Sequence, residues 1–95
     1  MGSARKVTLM GRYYFHLKKM GERVLIDEEG AELPDLETAR EQAFRAAREL
    51  VADAILTGSD LDTVAIIVMD DQGHELNYIP LGAVLPKSLR GHRLN

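Results

Sequence analysis

His16 is the side chain best placed to do chemistry, because it directly follows three aromatic residues, Tyr13–Phe15, in a strand-like segment. Histidine can act as a proton-sensitive switch, a metal ligand or a general base. Each role requires a positioned partner, and the sequence places no carboxylate beside His16. The other two histidines, His74 and His92, share no helical or hairpin spacing with it, so no metal site is predicted. We therefore predict a structural or interface role for His16.

Two acidic turns form the second group of chemically interesting residues. Asp27–Gly30 and Asp70–Gly73 each begin with aspartate and end with glycine. Clustered oxygen ligands attract Ca²⁺ and Mg²⁺, but neither segment has the alternating Asp-x-Asp-x-Asp-Gly spacing of a calcium loop. Carboxylates that repel one another, followed by a glycine free to adopt positive φ, favour an ordinary turn. We predict turns at both places and no metal ion.

The remaining residues give no catalytic signature. The sequence has no cysteine, which excludes a thiolate nucleophile, a disulfide framework and a cysteine-based zinc site. Ser3, Ser59 and Ser88 do not lie in a nucleophile elbow, and the glycines are scattered rather than grouped into a phosphate-binding loop. We predict a protein that is not an enzyme and uses no cofactor.

The charge distribution argues against general affinity for nucleic acid, since the net charge is -3. Arginines in the central segment are interleaved with glutamates, which is typical of a solvated helix surface. Basic residues concentrate instead in a C-terminal tail, residues 87–95. A nucleic-acid-binding regulator that uses this tail is the alternative function, although nucleic acid is not the partner we expect first.

A long amphipathic helix has the clearest local signals. Asp35 follows Pro34 and is the predicted N-cap, and Gly58 is expected to end the helix in a left-handed conformation. Between them, apolar residues recur at spacings of three and four, which predicts one broad apolar face: Leu36, Ala39, Ala43, Phe44, Ala47, Leu50, Val51, Ala54 and Ile55.

Two hairpins flank this helix. Alternation over Arg12–Lys18 predicts the first strand, and Arg23–Asp27 is expected to return beside it. The continuous apolar run Thr63–Met69 predicts a central strand, and His74–Ile79 follows it after a turn. The predicted fold class is α+β, in the order β-β-α-β-β, with a four-stranded, mainly antiparallel sheet of spatial order 2-1-3-4. One long helix covers one face.

A single helix leaves the other face of the sheet uncovered. Alternation assigns eight residues to the helix side: Tyr13, Phe15, Leu17, Val64, Ile66, Val68, Leu76 and Tyr78. The opposite side receives Tyr14, His16, Leu25, Ala65, Ile67 and Met69, with Ile79 as a further candidate. This set is too apolar for solvent, so it requires the C-terminal segment, a second copy or another protein as a second layer. We predict a homodimer with an interface formed by Tyr14, His16, Leu25, Ile67 and Met69.

The length of 95 residues suits one domain, which we place at residues 12–86. Residues 1–11 are predicted to be a leader that is disordered or left over from cloning, and residues 87–95 form the basic tail. No apolar run approaches the roughly 20 residues that span a bilayer. We expect a cytoplasmic protein with no membrane partner.

Three motifs carry a resemblance to a known family. The segments Arg12–Leu17, Asp27–Gly30 and Glu32–Glu37, followed by Ala39, Arg40 and Ala43, resemble those of a family of small bacterial proteins of unknown function. The resemblance spans Arg12 to about Leu81 and implies no established activity. A looser similarity is to antitoxin domains of the HicB type, although the Gly-Cys step and the separate DNA-binding module of that family are missing here. Together these resemblances favour a small, non-enzymatic interaction or regulatory domain.

Overall fold

The computed structural model describes residues 11–85 and shows an α+β fold. One long helix packs on one face of an antiparallel sheet. The elements follow one another as β1 (Gly11–Lys19), a 3-10 turn (Met20–Glu22), β2 (Val24–Leu25), β3 (Ala31–Leu33), α1 (Leu36–Thr57), β4 (Thr63–Met69), β5 (Glu75–Pro80) and a second 3-10 turn (Leu81–Val84).

The sheet has the order β2-β1-β4-β5, and β3 also pairs with β1. This is the strand order that the sequence predicted, because the helix returns the chain so that β4 runs antiparallel to β1. The fifth strand, β3, was not expected. It is only three residues long and pairs with the first residues of β1, whereas β2 pairs with the last ones.

The helix α1 begins and ends where the sequence predicted. The Asp35 side chain accepts a hydrogen bond from the Thr38 N–H at 2.8 Å, which satisfies one of the free donors of the first turn. Gly58 ends the helix with a φ of 69°, in the left-handed region. Ile55 differs from the prediction, since it is 66% exposed. No helix among residues 11–85 is both long enough and apolar enough to cross a membrane.

The core lies between α1 and the two central strands. Ala39, Ala43 and Ala47 recur every fourth residue along α1 and are fully buried. They face a sheet surface whose large buried residues are Ile66 and Val68 on β4, with Ile79 on β5. Small side chains on the helix let its axis approach the sheet closely, so larger residues at these positions do not fit.

Leucine at Ala43 is therefore expected to destabilise the fold. A side chain with three more carbon atoms has no space between α1 and β4, and overpacking of this kind costs about 1 to 3 kcal/mol in the free energy of unfolding. Ala52 lies on the exposed surface of the same helix and provides the control. We expect Ala52→Leu to change the free energy of unfolding by about 0.5 kcal/mol or less, as measured by urea denaturation. Equal losses for both variants would contradict close packing at Ala43.

The C-terminal hairpin has a different register from the one expected. Ile79 pairs with Ile66 and is buried in the core, whereas Tyr78 pairs with Ile67 and lies on the face opposite α1. The cause is an irregularity beside Met69, which inserts one extra residue into β5. Because side chains alternate along a strand, one extra residue exchanges the two faces. The candidate assignment of Ile79 to the uncovered face is thus wrong.

Leu25 also lies on the other side of the sheet from the one predicted. It pairs with Leu17, which packs against the core beneath α1, and paired residues of antiparallel strands share a face. Val24 pairs with Lys18 and takes the position opposite the helix. The strand was predicted to run over Arg23–Asp27, but only Val24 and Leu25 pair, because the chain turns away after them.

Candidate functional site

The outer edge of β1 is paired by two separate short strands. Leu17 and Lys18 pair with β2, and Gly11–Tyr13 pair with β3. Between these two ladders, the Phe15 N–H donates a hydrogen bond to Oδ2 of Asp27 at 3.1 Å. A carboxylate therefore satisfies a backbone donor at the point where the edge strand is interrupted.

The same carboxylate organises the segment that links β2 to β3. Its Oδ1 atom accepts hydrogen bonds from the N–H groups of Glu29 and Gly30, each at 3.2 Å. Asp27 thus holds its own loop and the neighbouring strand β1 in one arrangement. We call residues Asp27–Gly30, with the contacts of this carboxylate, the Asp27 loop.

Gly30 ends the Asp27 loop, and both its backbone conformation and its close neighbours favour glycine at this position. Its φ is 67°, in the left-handed region that side chains disfavour. A Cβ atom at this position would lie 2.8 Å from the Tyr13 carbonyl oxygen and 2.8 Å from a ring carbon of Tyr14. The close approach lets Ala31 pair with Tyr13 and start β3.

His16 contacts the Asp27 loop directly. The Asp27 N–H donates a hydrogen bond to Nδ1 of His16 at 3.1 Å, so Nδ1 is an acceptor and the proton of the neutral ring lies on Nε2. The sequence places no carboxylate residue beside His16. The structure brings Asp27, which lies 11 positions later in the chain, into contact with the His16 ring. The Asp27 oxygens accept hydrogen bonds from backbone donors, so this arrangement orients a loop, and the structural or interface role of His16 stays a prediction.

The environment of Asp27 lowers the pKa of its carboxyl below the ordinary value of 3.8. Partial burial is the largest single influence and acts in the opposite direction, because it disfavours the charged form. The hydrogen bonds from the N–H groups of Phe15, Gly30 and Glu29 outweigh it. The ionised carboxylate is therefore the form that stabilises the loop.

The second acidic turn is built on the same principle. Oδ1 of Asp70 accepts hydrogen bonds from the N–H groups of Gln72 at 2.9 Å and His74 at 2.8 Å, and Gly73 has a positive φ of 83°. Both segments thus form the turns that the sequence predicted. Over the described part of the chain, residues 11–85, no group of three His, Asp or Glu side chains could hold a metal ion.

The sheet surface opposite α1 is the other feature that these elements position. We call it the open face and define it by six residues: Tyr14, His16, Lys18, Ile67, Met69 and Tyr78. The register places Tyr14 beside Met69, and places Ile67 between His16 and Tyr78. Lys18 lies over the Tyr78 ring, with its Nζ atom 5.6 Å from the ring centroid.

The structure brings together four of the five predicted interface residues. Tyr14, His16, Ile67 and Met69 share the open face, whereas Leu25 lies on the helix side. Tyr78 joins this face but was missed, because its position depends on the extra residue in β5. That these residues form an interface stays a prediction.

A comparison with known proteins assigns the chain to a family. The comparison with curated proteins gives no match, and the comparison with solved structures also gives none. The similarity to antitoxin domains of the HicB type therefore stays a hypothesis. A profile described as "Domain of unknown function (DUF6894)" matches residues 12–82. This range covers α1 and all five strands, except for the first residue of β1. The chain belongs to the DUF6894 family of domains of unknown function.

Proposed function

We propose that this domain is a non-enzymatic interaction module that associates with a second copy of itself through the open face. The observation that carries the proposal is the position of Ile67 and Met69. Both are apolar, lie on the central strand β4, and are only half-buried. Within residues 11–85, the one long helix packs on the other side of the sheet.

The composition of the open face supports association. Tyr14 and Tyr78 flank the two aliphatic side chains, and Tyr78 is 42% exposed. Fully burying a large apolar side chain contributes about 1.5 to 3 kcal/mol before the costs of ordering. Ile67 and Met69 are already partly buried in the single chain, so each gains only a fraction of this value, but in a two-fold symmetric dimer both copies contribute.

Charge placement favours a second copy as the partner. Lys18 lies beside Ala65 at one end of the open face. At the other end Glu75 pairs with Met69, and the charge of Arg12 is balanced there by Glu32, 3.6 Å away. When two copies pack face to face with their strands reversed, the lysine end of one lies over the glutamate end of its partner. The same surface is therefore complementary to itself in charge as well as in apolar character.

Lysine at Ile67 is expected to prevent association. The substitution removes an apolar contact from both copies and places two charges in the interface, so we expect the dissociation constant to rise about 100-fold or more. Sedimentation equilibrium over a wide concentration range measures this change. Leu56→Lys is the matched control, because Leu56 is 85% exposed on α1, on the other side of the sheet.

Two outcomes would contradict the proposal. The first is that the unsubstituted protein sediments as a monomer at every concentration. The second is that Leu56→Lys dissociates the dimer as strongly as Ile67→Lys does. Circular dichroism of each variant confirms that the fold is retained, so that loss of association is not confused with unfolding.

A second candidate function is binding of single-stranded nucleic acid on the same surface. Tyr14 and Tyr78 offer rings for base stacking, and Lys18 adds a positive charge beside one of them. The net charge of -3 disfavours this function. Fluorescence anisotropy with a labelled oligonucleotide at about 50 and 200 mM salt tests it, because phosphate contacts weaken steeply as salt is added.

A further inference from the structure

A groove on the helix side of the molecule is a second surface, separate from the open face. It lies between the second half of α1 and β1 and has a volume of about 520 Å³. Its lining combines three apolar residues with two acidic ones: Leu17, Ala46, Leu50, Glu49 and Asp53. This volume falls within the range of about 300 to 1,000 Å³ that is typical of ligand sites. Leu25 pairs with Leu17 and is 56% exposed, so it extends the apolar surface toward the edge of the sheet.

The two carboxylates give the groove a defined charge. Glu49 and Asp53 are four residues apart and therefore lie on the same side of α1. No lysine, arginine or histidine in the 11–85 range forms an ion pair with either of them. The basic residues at the nearby hairpin turn, Lys19 and Arg23, pair with Asp62 instead, at 3.2 and 3.5 Å. An occupant that combines apolar side chains with positive charge would complement both parts of this lining.

The sequence of residues 86–95, which lie outside the described part of the chain, has this composition. Two leucines, Leu89 and Leu94, occur there together with Lys87, Arg90 and Arg93, and no acidic residue is present. We propose that this basic C-terminal segment docks in the groove of its own chain, with leucine against Leu17 and Leu50 and basic groups beside Glu49 and Asp53.

The position of Leu85 makes docking within one chain feasible. The 3-10 turn Leu81–Val84 packs against α1 on the side of the sheet that holds the groove, and the described chain ends one residue later. The segment must cross a helix whose diameter with side chains is about 10 to 12 Å. Ten extended residues span up to about 33 Å, which is sufficient. A tethered segment also has an effective concentration in the millimolar range, so weak contacts are enough to hold it.

Nuclear magnetic resonance of the full chain and of a variant truncated after Leu85 tests the proposal. Truncation is expected to shift the methyl and amide signals of Leu17, Ala46 and Leu50, independently of protein concentration. The full-length double variant Leu89→Ser and Leu94→Ser is expected to give the same shifts, and it excludes an effect of truncation on the turn that precedes residue 86.

Charge variants provide the second arm of the experiment. A synthetic peptide of residues 86–95, added to the truncated chain, is expected to return the signals toward their full-length positions. Replacing Glu49 by glutamine or Asp53 by asparagine is expected to weaken the binding of this peptide about twofold to fivefold per residue, which is the range for exposed ion pairs. Glu28→Gln with Glu29→Gln removes the same charge at the opposite end of β1 and should leave the affinity unchanged.

Three results would overturn the proposal. Groove signals that do not respond to truncation exclude docking of the tail. Shifts confined to the open-face residues Tyr14, Ile67 and Met69 place the tail on that face instead. Shifts at the groove that depend on protein concentration identify a second copy as the occupant.

Discussion

Alanine at Gly30 is expected to destabilise the domain by about 2 to 4 kcal/mol in the free energy of unfolding. Two effects add at this position. The φ of 67° requires a left-handed conformation, and the new Cβ atom would lie 2.8 Å from the backbone oxygen of Tyr13. That oxygen belongs to a paired residue of β1, so it cannot move away without disturbing the sheet. Urea denaturation measures the loss.

Gly58→Ala separates the two effects. Gly58 has nearly the same φ, 69°, but a Cβ atom there would meet nothing within 4 Å. We therefore expect only the conformational cost of about 1 to 2 kcal/mol for this variant. Equal losses at Gly30 and Gly58 would show that the close approach to Tyr13 contributes nothing, and the account of how β3 is positioned would then be wrong.

The helix and the central strand could be predicted because their signals are local. Asp35 caps the helix through a hydrogen bond to Thr38, three residues away, and Gly58 ends it through its own backbone conformation. The run Thr63–Met69 is apolar enough to be identified without knowing its neighbours, and β4 has these same bounds. From these elements, the order of the four main strands and their antiparallel directions were predicted correctly.

The edge strand β3 could not be predicted, because its signal is not local. Three residues, Ala31–Leu33, are too short for a recognisable alternation. They pair because Gly30 permits close approach to Tyr13 and because the Asp27 carboxylate accepts the Phe15 N–H. Both contacts join residues more than ten positions apart, and neither residue type alone indicates its partner.

The open face was predicted in part for a related reason. Along β1, alternation alone places Tyr14 and His16 together, and the structure confirms this arrangement. Along β5, one extra residue beside Met69 shifts every later side chain to the other face, so Tyr78 and Ile79 exchange places. A turn sequence such as Asp70–Gly73 indicates a hairpin but does not reveal whether an extra residue follows it.

Alanine at Asp27 is the second substitution with a large expected effect. It removes three hydrogen bonds at once, from the N–H groups of Phe15, Glu29 and Gly30. Water can replace part of this loss at Glu29, which is exposed, but Phe15 lies within the paired sheet. We expect the free energy of unfolding to fall by about 2 to 4 kcal/mol. Asp71→Ala, at an exposed position in the other acidic turn, is the control, with an expected change of about 0.5 kcal/mol or less.

Asparagine at Asp27 is expected to have an intermediate effect. Its carbonyl oxygen can still accept the N–H groups of Glu29 and Gly30, but its NH₂ group faces the Phe15 N–H, which is also a donor. We expect a loss of about 1 to 2 kcal/mol. If the asparagine and alanine variants are equally stable, the carboxylate does not act through these separate bonds.

The stability that Asp27 contributes is expected to depend on pH in a defined direction. Because folding lowers the pKa of this carboxyl below 3.8, the contribution is complete above that value and is lost as the pH falls through the folded-state pKa. Asp35, Asp62 and Asp70 also have lowered pKa values, so acid weakens the whole protein for several reasons. The informative quantity is the difference in unfolding free energy between the unsubstituted protein and Asp27→Ala. We expect urea titrations to show a constant difference between pH 5 and 7 and a smaller one below pH 3.8; a difference that grows in acid would mean that the protonated carboxyl holds the loop.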